Sequence, residues 1–211
     1  MKLHATVITS AMKEIAQGIF NDCDPNYYLA GGTALALQIG HRKSIDLDYF
    51  IADDIDTKQL RNRLEDIFQS TTMQITFEQK NTLWCLIDGV KISFISRSDA
   101  LLQPVSIEDS FRLVSIADIA IMKLSAICSR DEYKDYFDLA CIAQQVDVRS
   151  WLSYWDEIYP NVDPTSWLVA LAAAHSIQVV PLDILPSYNQ VKMQKVIHQA
   201  VTDITKILSS Q

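Results

Sequence analysis

The sequence predicts an α+β protein, with a mixed β-sheet core flanked by helices and a C-terminal helical subdomain. Up to about residue 112, apolar residues follow helical spacing and strand-like alternation in turn, which indicates helices packed against one sheet. Asp88-Gly89 separates two apolar strands and is a strong hairpin signal. Beyond residue 112 the spacing is helical throughout. We therefore assign residues 1–112 to a sheet-containing core and residues 113–211 to the helical subdomain.

The core is expected to run helix, strand, helix, strand, helix and then three strands. The paired glycines Gly31-Gly32 open the second helix, for which Gly40 is the expected C-cap. Thr57 is the expected N-cap of the third helix, which carries an apolar stripe. The predicted bounds are 5–20, 27–30, 33–40, 46–50, 57–68, 73–77, 83–87 and 90–95.

The helical subdomain is expected to begin at Ser115. Asp163 is a good N-cap residue, and Pro164 then occupies the first helical position, where its missing N–H costs nothing. The predicted helices cover residues 115–128, 133–145, 148–158, 164–175 and 189–209.

Composition excludes several classes of protein. The net charge is −8, which argues against generic DNA binding, although a local basic rim of Arg42, Lys43, Lys58, Arg61 and Arg63 could receive an RNA end. No segment reaches the roughly 18 apolar residues of a membrane span, and the N-terminus lacks a signal-peptide pattern, so a cytoplasmic protein without membrane contact is expected. The four cysteines lack C-x-x-C spacing and predict reduced, buried thiols and no zinc site.

The first candidate site joins a glycine turn to an acidic strand. Gly31 and Gly32 allow the backbone to approach a phosphate, whose charge the amides of the following helix attract. Asp46 and Asp48 lie two apart on a predicted strand, so they share a face, with α-carbons roughly 6.5 Å apart. Two such carboxylates can hold a pair of hard cations for phosphoryl or nucleotidyl transfer. The alternative is a solvated strand face.

The second candidate site is a group of charges within apolar helices. Lys123 lies among Ile119, Met122 and Leu124, so its ammonium either extends outward or meets a buried anion. Asp135 and Asp138 are three apart and share one helix face. The alternative explanation for this charge run is intrahelical ion pairing.

Together these motifs resemble a known family. Tyr-Leu-Ala-Gly-Gly-Thr-Ala-Leu-Ala-Leu (28–37), Arg-Lys-Ser-Ile-Asp-Leu-Asp-Tyr-Phe (42–50), the helix from Lys123 to Arg130 and Lys-Asp-Tyr-Phe-Asp-Leu (134–139) are similar to the nucleotidyltransferase AbiEii/AbiGii toxin family, within the polymerase-β-like superfamily. The resemblance implies a nucleotidyltransferase core and transfer of a nucleotide from an NTP to an acceptor, with tRNA 3′ ends among the family's acceptors. It also implies Mg²⁺ or Mn²⁺ as cofactor and, for many members, a cognate antitoxin.

The resemblance further implies a role for each matched residue. The metal ligands would be Asp46 and Asp48, which are also catalytic together with Lys123 and Asp135. The nucleotide would be bound by Gly31, Gly32, Thr33, Arg42, Ser44, Lys134 and Asp138.

One position departs from the superfamily pattern. A third carboxylate is expected on a later strand, and the strand 90–95 offers Ser93 instead. A serine hydroxyl is a poor metal ligand or general base, so activation of the acceptor would need another base, for which Asp135 is the candidate. Two alternatives therefore stay open: a catalytically degenerate nucleotide-binding or protein-interaction module, and a transfer to a small molecule or a protein hydroxyl on the same scaffold.

Overall fold

The computed structural model describes residues 2–210, which form two compact units. The first unit runs to Ala100 and resumes over Pro104–Val114, and the second consists of Leu101–Gln103 and the chain from Ser115 onward. The division of the chain into independent domains at residue 112 stays a prediction.

The first unit is built on a seven-stranded mixed sheet with strand order β3-β4-β5-β2-β1-β7-β6. Its helices are α1 (Ser10–Asp22), α2 (Gly31–Ile39) and α3 (Thr57–Ile67). Its strands are β1 (Tyr28–Leu29), β2 (Asp46–Ile51), β3 (Met73–Gln79), β4 (Thr82–Ile87), β5 (Val90–Ser96), β6 (Ser106–Glu108) and β7 (Phe111–Leu113). The mixed α+β architecture that the sequence predicts is thus confirmed.

Strand β2 lies inside the sheet and alternates cleanly between its two faces. It pairs antiparallel with β1 and parallel with β5. Leu47, Tyr49 and Ile51 are buried, whereas Asp46 and Asp48 are half-buried on the opposite face. The prediction that the two aspartates share one face of a strand is confirmed, and it follows from the period of two along a strand.

The turns and caps agree with the sequence in part. Asp88 and Gly89 both have positive φ (48° and 78°), the conformation of a type I′ hairpin turn between β4 and β5. Gly40 caps α2 in the left-handed region. Thr57, however, is the first residue of α3, because the Asp56 carboxylate accepts the hydrogen bond from the amide of Gln59. Sequence analysis also missed β6 and β7, which at three residues each are too short to show a period.

The second unit is helical. Its helices are α4 (Ile116–Ile127), α5 (Tyr133–Ile142), α6 (Ser150–Ile158), α7 (Thr165–Ala172) and α8 (Met193–Leu208). Trp151 and Trp167 are fully buried in it, as core residues. Ser115, the expected first residue of the first helix here, is the N-cap of α4, and its hydroxyl accepts a hydrogen bond from the amide of Asp118. Pro164 is the N-cap of α7 rather than its first residue, and the Asp163 carboxylate accepts a hydrogen bond from the amide of Thr165, the first residue of the helix.

Two expectations about chain-wide properties can be compared with the structure. Within residues 2–210, none of the helices combines the length and apolarity that crossing a bilayer requires. Cys23, Cys85 and Cys141 are buried thiols, and burial raises the pKa of Cys85 to about 12. Cys128 is exposed, which corrects the expectation that all four thiols are buried.

Candidate functional site

The turn between β1 and α2 requires glycine at its first position. Gly31 has φ of 65°, in the left-handed region, and a Cβ there would lie 3.1 Å from Asp48 Oδ2. Ala30, the N-cap of α2, supplies no side-chain hydrogen bond to the first helical amides. The start of α2 thus lies close to the Asp48 carboxylate, and its N-cap residue contributes no side-chain hydrogen bond. Such a helix start is a natural position for a phosphate.

A chain of hydroxyl groups holds Asp46 from the side of α2. Thr33 is fully buried, and its hydroxyl donates to the backbone carbonyl of Asp46 and lies 2.7 Å from Ser44 Oγ. Ser44 Oγ in turn donates to Asp46 Oδ1 at 3.3 Å. The side chains of Thr33 and Ser44 thus fix the strand that bears the carboxylates. Their predicted contacts with the nucleotide stay predictions.

Ser93 occupies the position in register with Asp48 on the neighbouring parallel strand β5. Its hydroxyl donates a hydrogen bond of 2.6 Å to Asp48 Oδ1. Since Gly31 adjoins the other oxygen, Oδ2, the two sides of the carboxylate meet different elements. The residue that departs from the superfamily pattern is therefore in direct contact with one of the two candidate metal ligands.

The donor set on this face fits a hard divalent cation. Asp46 and Asp48 are half-buried carboxylates, and Mg²⁺ typically binds to one or two carboxylates while water and substrate phosphates complete its shell. In the part of the chain that the structure describes, no cluster of three or more His, Cys, Asp or Glu side chains could hold a metal ion. A Mg²⁺ or Mn²⁺ ion at this site would therefore depend on the two aspartates and on phosphate oxygens.

The second unit contains a buried ion cluster between α4 and α5. Lys123 Nζ lies 2.5 Å from Asp135 Oδ1 and 2.8 Å from Asp138 Oδ2. Arg130 Nε donates to Asp135 Oδ2 at 2.7 Å. Both carboxylates are fully buried, and the lysine is nearly so. Lys123 thus meets buried anions on the next helix, which excludes the alternative that its charge is balanced within its own helix.

The charges of this cluster stabilise one another. Burial alone would lower the pKa of Lys123, but the carboxylates of Asp138 and Asp135 outweigh burial and raise this pKa above its ordinary value. Burial would raise the pKa of Asp135, but Lys123 and Arg130 lower it overall. A carboxylate whose pKa is lowered holds a proton weakly, which argues against Asp135 as the general base.

The remaining predicted residues have local partners within their own units. Arg42 is buried, and its Nη1 donates to the backbone carbonyl of Lys43 at 3.1 Å. Lys134 is half-buried, with Nζ 3.9 Å from Glu132 Oε2. The roles that the resemblance implies for Arg42, Lys134 and Asp138 in nucleotide binding stay predictions.

The basic rim expected from sequence stays a prediction. Lys43 and Lys58 are exposed, and the three arginines differ in their surroundings. Arg61 pairs with Glu78 at 3.1 Å, and Arg63 donates to the backbone carbonyl of Asp22 at 2.7 Å. Arg42, the third arginine of the predicted rim, is buried. Sequence analysis in turn gave Arg130 no role of its own. Arg130 lies five residues before Asp135, just ahead of the predicted helix, and this position was the sequence signal for an ion pair between the two residues.

Comparisons with known proteins agree with the motifs. The model of the family described as nucleotidyl transferase AbiEii toxin, type IV toxin–antitoxin system, matches residues 17–153, more than half of the chain. The uncharacterized protein aq_aa25 of Aquifex aeolicus (strain VF5) is 35% identical over 131 residues. That alignment covers 60% of this chain and 60% of the relative, so it spans less than two thirds of the relative's length.

Two solved structures have a similar fold. MenT4, the nucleotidyltransferase toxin Rv2826c of Mycobacterium tuberculosis H37Rv, matches with a TM-score of 0.58 and 14% identity, over 92% of this chain and 82% of that chain. A candidate nucleotidyltransferase from Helicobacter pylori matches with a TM-score of 0.57 and 17% identity, over 97% and 96%. At these identities the likeness establishes the nucleotidyltransferase fold alone. With the family model, it leads to one conclusion: the chain belongs to the AbiEii nucleotidyl transferase toxin family.

Proposed function

We propose that this protein is a metal-dependent nucleotidyltransferase that moves a nucleotide from an NTP to an acceptor hydroxyl. One observation carries the proposal. The carboxylate pair Asp46 and Asp48 lies on one sheet face, and Asp48 adjoins the start of α2 at Gly31, where an added Cβ would lie only 3.1 Å from the carboxylate. A triphosphate needs both features, because its charge must be balanced by cations and its oxygens need backbone donors.

In the proposed reaction, the acceptor oxygen forms a bond to the α-phosphorus of the NTP. The bond between the α-phosphorus and the bridging oxygen of the β-phosphate breaks, and pyrophosphate leaves. Asp46 and Asp48 would hold Mg²⁺ or Mn²⁺, which polarises the α-phosphate and stabilises the leaving pyrophosphate. The hydroxyl proton is released to solvent, because position 93 carries a serine rather than a carboxylate.

The surrounding residues act by holding these groups in place. The amides that follow Ala30 donate to phosphate oxygens, and Gly31 lets the phosphate approach the backbone. The hydroxyls of Thr33 and Ser44 keep Asp46 oriented, and the hydroxyl of Ser93 does the same for Asp48. Fixed orientation of metal ligands matters because transfer depends on the alignment of attacking and leaving oxygens.

The acceptor and the partners form the finer part of the proposal. We infer a polynucleotide acceptor, with tRNA 3′ ends as the first to test, since the resemblance implies them. The type IV toxin–antitoxin description of the family supports a toxin with a cognate antitoxin. NTPs and Mg²⁺ are available in the cytoplasm, which is where we expect the reaction to take place.

Ser93 favours a second candidate function. A superfamily fold that lacks the third carboxylate could retain nucleotide binding without turnover, as a degenerate binding or protein-interaction module. The two candidates differ in a measurable way, since the first transfers label from the NTP and the second only binds it.

The test is transfer from each α-labelled NTP to total tRNA in the presence of Mg²⁺ or Mn²⁺. Wild type should label RNA, and Asp46→Asn/Asp48→Asn should lose at least about two to three orders of magnitude in rate. Asp53→Asn is the matched control, because Asp53 is an exposed aspartate just after the same strand. Binding of NTP without transfer to any acceptor would favour the degenerate module, and loss of the Asp46/Asp48 dependence would contradict the site.

A further inference from the structure

An aromatic pair lies exposed on the sheet of the first unit. The rings of Phe77 on β3 and Trp84 on β4 are tilted against each other, with centroids 4.8 Å apart. Trp84 is 45% exposed and Phe77 is 38% exposed. Leu83 and Cys85, which flank Trp84 along β4, face the opposite, buried side of the sheet. The pair therefore presents aromatic surface to solvent.

The pair continues the row of residues that contains the candidate metal ligand. Phe77 is opposite Trp84, Trp84 is opposite Ser93, and Ser93 is in register with Asp48. Cross-strand partners share a face, so these four residues line one row across β3, β4, β5 and β2. Trp84 is two strands from Asp48, or roughly 10 Å.

Cross-strand packing explains the contact between the two rings but not their exposure. An aromatic pair stabilises a hairpin through the faces that touch, and this role would be served equally by a pair covered from solvent. Here the outer surfaces of both rings remain accessible, on the face that carries Asp46 and Asp48. Lys91, on β5 two residues before Ser93, is exposed on the same face and adds a positive charge. Exposed aromatic rings beside a cation are the usual elements of a surface that binds single-stranded nucleic acid.

On the basis of the proposed function, the position of the aromatic pair favours the acceptor, rather than the NTP, as its ligand. Helix α2, whose start would bind the triphosphate, follows β1, and β1 borders β2 on one side. Strands β5 and β4, with Trp84, border β2 on the other side. Attacking and leaving oxygens lie roughly in line through the transferred phosphorus. With pyrophosphate leaving toward α2, the acceptor approaches from the side of β5 and β4.

We propose that Trp84 and Phe77 form a stacking platform for a nucleobase of a single-stranded polynucleotide acceptor. The base stacks on the exposed ring of Trp84, Phe77 holds that ring in place, and Lys91 faces the backbone phosphates. Stacking on an aromatic ring needs no particular base edge, so the platform binds the acceptor strand with little sequence preference.

The first test uses wild-type protein and two fluorescein-labelled hexamers in a binding titration. One hexamer is oligoadenylate, and the other has the same backbone with abasic residues at its 3′ half. The platform predicts about tenfold weaker binding of the abasic hexamer, since stacking on aromatic rings accounts for a large part of such affinities. Equal binding of the two hexamers would overturn the proposal without any variant being made.

The second test uses Trp84→Leu, with Trp84→Tyr as the conservative variant and Ile107→Ser as the control. Ile107 is a large exposed apolar residue on β6, at the other edge of the sheet. Trp84→Leu should bind oligoadenylate about tenfold more weakly and should no longer distinguish it from the abasic hexamer. Trp84→Tyr should restore most of the difference, and Ile107→Ser should behave as wild type.

Kinetic constants separate this proposal from the proposed function. In Trp84→Leu, the KM for the acceptor should rise about tenfold while the KM for the NTP stays unchanged. A rise confined to the NTP, or no change in either constant, would overturn the platform while transfer itself stands. Base-dependent binding in a wild-type protein that transfers no label would support the platform and would contradict the proposed reaction.

Discussion

The two carboxylate pairs of this protein differ in how their charge is balanced. Asp46 and Asp48 are half-buried on a sheet face and accept hydrogen bonds from the hydroxyls of Ser44 and Ser93. Asp135 and Asp138 are fully buried and lie within 2.8 Å of the ammonium of Lys123. The first pair is half-open to solvent, where an external cation can reach it, whereas the second pair is enclosed together with the ammonium of Lys123.

The two carboxylate pairs therefore differ in what they cost the fold and in what they can bind. A buried ion cluster with an internal cation contributes little net attraction for an external phosphate, but removing one partner leaves an uncompensated charge. A half-exposed carboxylate pair costs the fold little free energy in the absence of a ligand, and binding of a cation stabilises it further. Substitutions at the first pair should therefore change cation binding, and substitutions at the second pair should change stability.

Replacing Lys123 with Met should have the largest effect on stability. The change leaves two buried carboxylates without their ammonium, and we expect a loss of about 3–5 kcal/mol in the free energy of unfolding. Urea unfolding at neutral pH measures it. Lys195→Met is the matched control, because Lys195 is an exposed lysine on α8 of the same unit. A loss no larger than in that control would contradict the cluster's structural importance.

The pH dependence of that loss can be derived from the shifted pKa values. The pKa of Asp135 is lowered from 3.8, so its contribution is present above pH 3.8 and is lost as the pH falls through the folded-state value. The pKa of Lys123 is raised from 10.5, so its contribution is present below pH 10.5 and is lost at higher pH. The wild-type contribution should thus be flat between these limits. The difference from Lys123→Met should already shrink above pH 3.8, because the buried carboxylates of the variant lack the ammonium and take up protons more readily.

Replacing Gly31 with Ala should destabilise the fold and also weaken metal binding at Asp46 and Asp48. Gly31 and Gly89 both have positive φ, so Ala at either position should cost about 1–2 kcal/mol in stability. A Cβ at Gly31 meets Asp48 Oδ2 at 3.1 Å, whereas one at Gly89 meets no atom within 4 Å. We therefore expect weaker Mn²⁺ binding in Gly31→Ala only, measured by electron paramagnetic resonance. Equal Mn²⁺ affinities in the two variants would show that Asp48 does not need this space.

Replacing Ser93 with Ala should have the smallest of these effects. Loss of the 2.6 Å hydrogen bond to Asp48 Oδ1 should lower Mn²⁺ affinity about tenfold, at the low end for outer-sphere partners of a metal ligand. Ser93→Thr keeps the hydroxyl and should keep the affinity. The control is Ser96→Ala, the same substitution at the end of the same strand. Unchanged affinity in Ser93→Ala would mean that Asp48 is oriented without this bond.

Local patterns predicted those parts of the molecule that depend on neighbouring residues. The shared face of Asp46 and Asp48 follows from strand alternation, and the left-handed cap at Gly40 follows from its place after an apolar helix. The family assignment, confirmed by the family model, depended on four such local motifs in order.

Long-range pairing decided what could not be predicted. The contact between Ser93 and Asp48 depends on the register of two parallel strands far apart in sequence, which no local pattern encodes. The match of Phe77 with Trp84 depends on a bulge between Ile75 and Phe77, and a shift of one residue reverses the faces of a strand. Lys123 likewise meets its partners on another helix. The charge run alone also allowed ion pairs within one helix, and it could not show which helix supplies the partner.

The early residues of the chain have a consequence for the order of folding. The amide of His4 donates to the carbonyl of Leu37, that of Ser44 to Val7, and β1 pairs with β2 across α2. All of these contacts lie within the first 50 residues, so they can form while the rest of the chain is still being synthesised. The glycine turn and both aspartates are therefore assembled first, on a strand whose other edge stays open. Only when β5 emerges does that edge become paired, and Ser93 then meets Asp48.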